Sequence, residues 1–377
     1  MNKAGLYIHV PFCHSKCAYC DFYSLPAIDK FGERYVKALE MEWNLRRDEV
    51  QGFSTIYFGG GTPSLLSAEA VEKIARWLPD IGVKGEFTVE FNPEDVVTGK
   101  SGVSTAELWK NIGANRVSMG VQSFNDEELR AVGRRHTSRQ AIDAYDMLAD
   151  TFGSDAVSVD LILGLPGQTM ETLQESLSTA ISLKPGHISI YILSYEPGTR
   201  LWALRSVGKV KETDSDIIAQ MYLLAHQVAT QAGYEHYEIS NFALPGRRAR
   251  HNAAYWAGSL YLGLGPGAHS FLGTTRRYNP SNINQWLESI EKGSTAYIDE
   301  PESEIDRIND TIMVRLRTAE GLDLNDIPPN VRKSFNDNLA QLPEGRIKLE
   351  NNRIFIPHEQ WLISDDTISR LFLSPID

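Results

Sequence analysis

Cysteine is scarce in this chain: its 377 residues include only three, too few for a disulfide framework of the kind that stabilises small secreted domains. No apolar run approaches the roughly 18 residues that a membrane-spanning helix needs, and no apolar segment near the N-terminus indicates a signal peptide. The net charge of −12 argues against a nucleic-acid partner, whose phosphates require a basic surface. Together these absences favour a globular protein of the reducing cytoplasm.

All three cysteines lie close together, as Cys13, Cys17 and Cys20 in a C-x3-C-x2-C run. Thiolates are soft ligands that select iron–sulfur clusters, zinc or copper. A cubane [4Fe–4S] cluster is usually held by four thiolates, so three leave one iron open to a small molecule. The alternative is a structural zinc site, which needs a fourth ligand such as His9 or His14. Because no second pair of ligands exists, the run favours the cluster.

The first 235 residues alternate short apolar runs with longer amphipathic ones. The apolar runs predict six β-strands, at 6–10, 55–58, 87–91, 116–121, 157–163 and 188–193. The amphipathic runs predict helices at 31–49, 67–78, 138–148, 169–183 and 213–233. This alternation is typical of a parallel sheet covered by helices.

Polar or glycine-rich residues follow each predicted strand, which bears on the type of α/β fold. In a β/α barrel the carboxyl ends of all strands build the site, whereas in an open sheet the site gathers at one switch point. Features at six successive strand ends favour the barrel, and six units rather than eight predict a partial (β/α)6 barrel that does not close. We expect residues 1–235 to form this core, residues 236–289 a connecting segment that is loop-like over 236–280, and residues 290–377 a smaller C-terminal accessory domain.

The strand ends supply candidate binding residues. Gly60, Gly61 and Thr62 lie in a G-G-G-T-P run, where glycine lets the backbone approach a ligand closely, although a tight turn is the alternative. Glu90 interrupts an apolar strand, so its carboxylate must be paired, either by a ligand or in a structural ion pair.

Three more polar side chains are candidates. Gln122 and Asp160 lie in or at the end of apolar strands and can hydrogen-bond hydroxyl groups of a ligand. Arg134 can form a bidentate pair with a carboxylate, with solvent exposure as the alternative.

Two aromatic features complete the candidates. Tyr19 lies between two of the cysteines, where its ring can cover a cluster or stack on an adenine. His251 begins the run H-N-A-A-Y-W, and neutral imidazole is a common iron ligand, including in haem. A histidine satisfied by hydrogen bonds within a packed aromatic loop is the alternative, which the chemistry alone favours.

Taken together, these motifs resemble the radical S-adenosylmethionine (SAM) superfamily, and within it the HemW-type haem chaperones, which are related to oxygen-independent coproporphyrinogen III oxidase. The resemblance covers essentially the whole chain and rests on P-F-C-H-S-K-C-A-Y-C-D-F, F-G-G-G-T-P, V-E-F-N-P-E, S-M-G-V-Q-S-F, G-R-R-H, D-L-I-L-G-L-P-G-Q-T, S-Y-E-P-G-T, Y-E-I-S-N-F-A, H-N-A-A-Y-W and G-L-G-P-G-A-H-S. The oxidases carry a fourth cysteine two residues after the third; here that residue is Phe22, as in the HemW-type proteins.

The resemblance implies cofactors and residue roles. It implies a [4Fe–4S] cluster on the three cysteines, with SAM at the open iron and haem at His251. Tyr7 and Tyr19 would line the SAM pocket, and the carbonyls and amides of residues 60–62 would meet the methionine end of SAM. The implied chemistry is cleavage of SAM to methionine and a 5′-deoxyadenosyl radical, without coproporphyrinogen oxidase activity.

The resemblance also implies a cytoplasmic or inner-membrane-associated protein that delivers haem to respiratory enzymes. Two functions stay open at this point: a haem-binding chaperone, and a porphyrinogen-decarboxylating enzyme of the coproporphyrinogen III oxidase type. It also stays open whether the radical takes part in haem transfer or SAM only occupies the cluster.

Overall fold

The computed structural model describes residues 3–96 and 104–374. Its strands are β1 Ala4–Val10, β2 Phe53–Gly60, β3 Glu86–Phe91, β4 Arg116–Gln122, β5 Val157–Leu163, β6 His187–Ile192, β7 Glu235–Glu238, β8 Asn241–Ala243, β9 Tyr261–Leu264, β10 His269–Phe271, β11 Thr275–Tyr278, β12 Ile298–Pro301, β13 Leu322–Asp323, β14 Lys348–Glu350 and β15 Arg353–Phe355. Its α-helices are α1 Ile28–Arg46, α2 Ala68–Ala75, α3 Thr105–Asn111, α4 Asp126–Ala131, α5 Ser138–Phe152, α6 Met170–Ser182, α7 Arg200–Ser206, α8 Ser215–Gln231, α9 Arg250–Trp256, α10 Ile283–Glu291, α11 Glu304–Arg315, α12 Arg332–Ala340 and α13 Ser364–Leu371.

The predicted parallel sheet is confirmed. Strands β1 to β6 lie side by side in chain order, and every neighbouring pair is parallel. Their apolar side chains are buried, as Leu6, Ile8 and Val10 of β1 show with 0% exposure. Helix α1 buries Tyr35 and Leu39, four residues apart on one face, as its amphipathic pattern predicts.

The sheet curves into an incomplete barrel. Thr62, after β2, and Ser194, after β6, line the same cavity of about 410 Å³. In a flat sheet four strand spacings would hold these residues about 19 Å apart, too far for a cavity of that size. The strand order among the described residues is open, from β12 at one edge to β7 at the other, so the barrel does not close.

The prediction of a loop-like segment over residues 236–280 is wrong. Strands β7 and β8 extend the sheet beyond β6, and β9, β10 and β11 extend it beyond β1, with α9 between the two groups. These strands are three or four residues long, too short to show a periodic pattern, and their structure depends on pairing with an existing sheet edge.

The C-terminal part contains a small antiparallel sheet of β13, β15 and β14 beside helices α11 to α13. Strands β14 and β15 form a hairpin around Asn351 and Asn352: both residues have positive φ, +49° and +62°, as a tight two-residue turn requires. The domain boundary near residue 290 stays a prediction, and the main sheet continues beyond it to β12.

Across the described ranges, no helix combines the length and the apolar character needed to cross a lipid bilayer.

Candidate functional site

A cavity of about 410 Å³ lies at the carboxyl ends of β1 to β6. All predicted site residues except Tyr7 and His251 line it, namely Cys13, Cys17, Tyr19, Cys20, Gly60, Gly61, Thr62, Glu90, Gln122, Arg134 and Asp160. The fold therefore gathers into one cavity residues that lie at the ends of five strands, β1 to β5, or in the segments that follow them. We call it the thiol cavity.

The loop that carries the cysteines is fixed to the end of β2. The Gly61 amide donates to the Val10 carbonyl at 2.8 Å, and the Thr62 amide donates to the Phe12 carbonyl at 2.6 Å. The Thr62 hydroxyl also donates to Cys13 Sγ at 3.5 Å. Because its backbone is held on the sheet, the loop presents the thiols in a preformed arrangement.

The electrostatics of the thiols fit a positively charged metal group. Burial raises the pKa of Cys13, and burial together with the neighbouring thiols raises the pKa of Cys20 to about 11. Arg134 donates to Cys17 Sγ at 3.5 Å, while its own Nε is buried without a partner. Thiolates in this cavity would need a positive charge beside them, which Arg134 supplies at Cys17 and which a bound metal group would supply for all three.

The two histidines that could complete a zinc site have other partners. Both ring nitrogens of His9 are engaged, with the Tyr7 hydroxyl at 3.0 Å and the Tyr23 carbonyl at 2.8 Å, and His14 pairs with Asp95 at 3.4 Å. Within the described ranges, no three His, Cys, Asp or Glu side chains converge as ligands of a single metal ion. The thiolates of a cubane cluster bind separate irons and do not need to converge.

The glycine run differs in detail from the prediction. The Gly61 amide donates to Val10 at the end of β1, the Thr62 amide donates to Phe12 in the cysteine loop, and the Gly60 amide donates to Glu90 Oε2 at 3.1 Å. With these amides bonded within the protein, the carbonyl oxygens are left for a ligand, and the contact with the methionine end of SAM stays a prediction. Glycine is required by the protein itself, since a Cβ at Gly60 would lie 2.4 Å from the ring of His9.

Glu90 is held by Tyr57, a residue that the sequence analysis missed. The Tyr57 hydroxyl donates to Glu90 Oε1 at 2.7 Å. Burial, reinforced by the charge of Asp160, raises the pKa of Glu90 to about 7, although the Tyr57 bond opposes the rise. A carboxylate that titrates near neutrality in a cavity is suited to pair with a cationic ligand group. The signal for Tyr57 was weak, because a tyrosine in a strand is ordinarily a packing residue.

The far wall of the thiol cavity is polar. Asp160 accepts from the Ser118 hydroxyl at 2.8 Å and the Ser158 hydroxyl at 3.3 Å, and burial raises the pKa of Asp160. Gln122 has φ of +72°, a strained value for a residue other than glycine, at a bulge between β4 and β5. Such strain persists where the surrounding structure holds a side chain in place.

The two remaining predicted residues lie outside the thiol cavity. The Tyr7 hydroxyl bonds His9, and its ring lies 6.1 Å from that of Tyr57. His251 is 2% exposed, with Nδ1 2.8 Å from the Thr55 hydroxyl and Nε2 2.9 Å from the Tyr255 hydroxyl. Burial lowers the pKa of His251 to about 3, so its ring is neutral. In this arrangement His251 has the hydrogen-bonded environment of a structural histidine.

A second cavity, of about 580 Å³, lies beyond His251 between α9, the β9–β11 strands and α11. Tyr255 and Trp256, from the H-N-A-A-Y-W run, form one wall with Tyr261 and Phe271. Two arginines and two carboxylates also line it: Arg276, Arg307, Glu302 and Asp310. We call it the aromatic cavity.

Comparisons with known proteins agree with this architecture. A model of the radical SAM superfamily matches residues 7–180. The heme chaperone HemW of Bacillus subtilis (strain 168) is 32% identical, over 96% of this chain and 97% of that protein. The mitochondrial radical S-adenosyl methionine domain-containing protein 1 of Bos taurus is 34% identical, over 85% of this chain and 74% of that protein.

Among solved structures, coproporphyrinogen III oxidase (HemN) from Escherichia coli, a radical SAM enzyme, superposes with a TM-score of 0.83 over 98% of this chain and 90% of its own, at 22% identity. At that identity the likeness concerns the fold, and it confirms the predicted partial radical SAM barrel with a smaller C-terminal part. The relatives that match over nearly the whole length narrow the assignment from a superfamily to one family. The chain belongs to the HemW family of the radical SAM superfamily.

Proposed function

We propose that this protein is a haem chaperone: it holds a [4Fe–4S] cluster and SAM in the thiol cavity, binds haem near His251 and passes the haem to acceptor proteins. The observation that carries the proposal is the pair of cavities, one lined by three cysteines and the other by the H-N-A-A-Y-W segment. The heme chaperone HemW of Bacillus subtilis, similar over nearly the full length, supports the same function.

In the thiol cavity Cys13, Cys17 and Cys20 would hold the cluster, with SAM at the iron they leave open. A cluster bound there would supply the electron for reductive cleavage of SAM. Glu90 is suited to the ammonium group of SAM and Arg134, with its free Nε, to the carboxylate.

The rest of the thiol cavity serves the nucleoside end of SAM. Gln122 and Asp160 can bind the ribose hydroxyls, and Tyr19, which also lines the cavity, can stack on the adenine. These side chains orient the ligand and exclude water; the cofactor supplies the chemistry.

The aromatic cavity suits haem in size and chemistry. Four aromatic side chains offer flat apolar surface, and Arg307 offers a partner for a propionate, whereas Arg276 pairs with Glu302 and Asp310. His251 is neutral, as an iron ligand must be, and Thr55 fixes its Nδ1 so that Nε2 points to Tyr255 at the cavity wall. Ligation of iron by Nε2 would replace the hydrogen bond to the Tyr255 hydroxyl.

The second candidate function is a porphyrinogen-decarboxylating enzyme of the coproporphyrinogen III oxidase type. The solved oxidase shares the fold at 22% identity, which leaves its activity undecided for this chain. Phe22 argues against it: its side chain lines the thiol cavity and is 62% exposed, where the resemblance places a fourth cysteine in the oxidases. We therefore prefer the chaperone, acting in the cytoplasm or at the inner membrane on respiratory enzymes.

Anaerobic reconstitution of the cluster followed by haem titration tests the proposal. Wild-type protein should bind haem with a sharp Soret change, and His251→Ala should weaken binding by about tenfold or more, since second-shell and ligand changes commonly cost at least that much. Unchanged haem affinity in the variant would remove His251 from the site. Turnover of coproporphyrinogen by the reconstituted wild type would reverse the choice between the two functions.

A further inference from the structure

The two cavities are joined by a chain of four side chains that runs through the barrel. Glu90 lines the thiol cavity and Tyr255 lines the aromatic cavity, about 165 residues further along the sequence. Tyr57 and His251 lie between them. Tyr57 contacts Glu90, His251 contacts Tyr255, and the rings of Tyr57 and His251 contact each other. The contacts are continuous, so a change at one cavity has a physical route to the other.

The first contact is a hydrogen bond to a carboxylate. Tyr57 donates to Glu90 Oε1 at 2.7 Å, while the Gly60 amide holds Oε2 at 3.1 Å. Hydrogen bonds to an ionised carboxylate are shorter and stronger than those to a neutral acid. A cationic group bound at Glu90 keeps the carboxylate ionised and therefore strengthens the bond that holds the Tyr57 side chain.

The second contact is a ring stack in a confined space. The Tyr57 and His251 rings lie 5.1 Å apart, with 28° between their planes. On another side the imidazole abuts the backbone of β1, where a Cβ at Gly5 would be only 3.1 Å from His251 Cε1. With 2% exposure, the imidazole has little room to shift unless the Tyr57 ring moves.

The third contact reaches the aromatic cavity. His251 Nε2 lies 2.9 Å from the Tyr255 hydroxyl, and the Tyr255 ring packs edge-on against Tyr261 at 4.7 Å. Both tyrosines line that cavity. The orientation of His251 therefore determines which atom faces the place where haem would bind.

We propose that Tyr57 is a positioning residue that couples the two sites, so that SAM bound at Glu90 raises the affinity for haem beside His251. The inference rests on the proposed function and adds its regulation. SAM fixes the Tyr57 hydroxyl, and the Tyr57 ring holds His251. Haem then binds to an imidazole that is already oriented, so binding loses no free energy to ordering that side chain. By linkage, haem raises the affinity for SAM by the same factor.

The test is haem titration with the cluster oxidised, so that SAM is not cleaved, in the presence and absence of saturating SAM. Wild type should bind haem about tenfold more tightly with SAM, within the usual range of coupling between two sites. Tyr57→Phe keeps the ring stack but removes the hydroxyl, so the ratio of the two affinities should fall to about one.

Tyr145→Phe is the matched control, since it removes a buried hydroxyl that donates to the Leu183 carbonyl at 2.7 Å, away from both cavities. It should leave the ratio at the wild-type value. If Tyr57→Phe does not fold, Glu90→Gln changes the other partner of the first contact and, at a SAM concentration that saturates the variant, should also lower the ratio. A wild-type ratio of one, or an unchanged ratio in these variants, would overturn the coupling alone. Absence of haem binding in wild type would overturn the proposed function and the coupling with it.

Discussion

Glu90→Gln is the substitution that most directly tests how the thiol cavity recognises SAM. Burial raises the pKa of Glu90 to about 7, so its charge changes within the range where the protein can be studied. Only the ionised carboxylate pairs with the ammonium group of SAM. Affinity for SAM should therefore fall as the pH falls through 7, because protonation of Glu90 competes with binding.

The size of the effect follows from the pKa. With a value near 7, the ionised fraction of Glu90 drops about eightfold between pH 7.5 and pH 6.0. The ammonium group of the ligand titrates near 8, so it becomes slightly more charged over the same interval, by less than about twofold. Wild type should therefore lose about sixfold in affinity. Glu90→Gln should bind about tenfold more weakly at pH 7.5 and gain slightly as the pH falls.

The assay is calorimetric titration of the reconstituted, oxidised protein with SAM at several pH values from 6.0 to 7.5. Glu69→Gln is the matched control, because Glu69 is an exposed carboxylate of α2 that pairs with Lys73. It should show the wild-type pH dependence. A Glu90→Gln variant that loses affinity at low pH as steeply as wild type would show that another group binds the ammonium.

Two further predictions concern stability and are measured by urea unfolding. Gly60→Ala should lower the free energy of unfolding by about 2 to 4 kcal/mol, since a Cβ would lie 2.4 Å from the ring of His9 at φ of +103°. Gly52→Ala, at φ of +91° with no atom within 4 Å, is the control that has the backbone strain without the clash. An equal loss of stability in the two variants would show that the clash with His9 contributes nothing. Burial lowers the pKa of His236 to about 2, from an ordinary 6.5, so only the unfolded chain gains its proton below pH 6.5. Wild type should lose about 2 kcal/mol through this residue between pH 7 and pH 5, and His236→Phe should lack that part of the slope.

The core of the fold was predictable because its signals are local. Each strand of the barrel is a buried apolar run, and each outer helix has an apolar face with a period near 3.6 residues. The start of α2 is an example: Ser67 is a favoured N-cap residue, and its hydroxyl accepts from the Ala70 amide. The short strands β7 to β11 were missed because their structure depends on distant partners rather than on their own composition.

The candidate site divides in the same way. The spacing of the three cysteines indicated an incompletely ligated cluster because the ligands lie within one loop. The role of Tyr57 was not predictable, since its bond to Glu90 joins residues 33 positions apart. The environment of His251 was also out of reach, because Thr55 and Tyr57 come from β2, nearly 200 residues earlier.

The sequence alone therefore determined the chemistry that the chain can offer: three soft ligands, a series of polar strand ends and an aromatic run that begins with a histidine. The tertiary structure decided which of these groups meet, because curvature of the sheet brings the ends of six strands to one cavity. It also decided that the glycine amides form hydrogen bonds within the protein and that His251 lies between two cavities. Such contacts join residues far apart in the chain, and only packing fixes their distances.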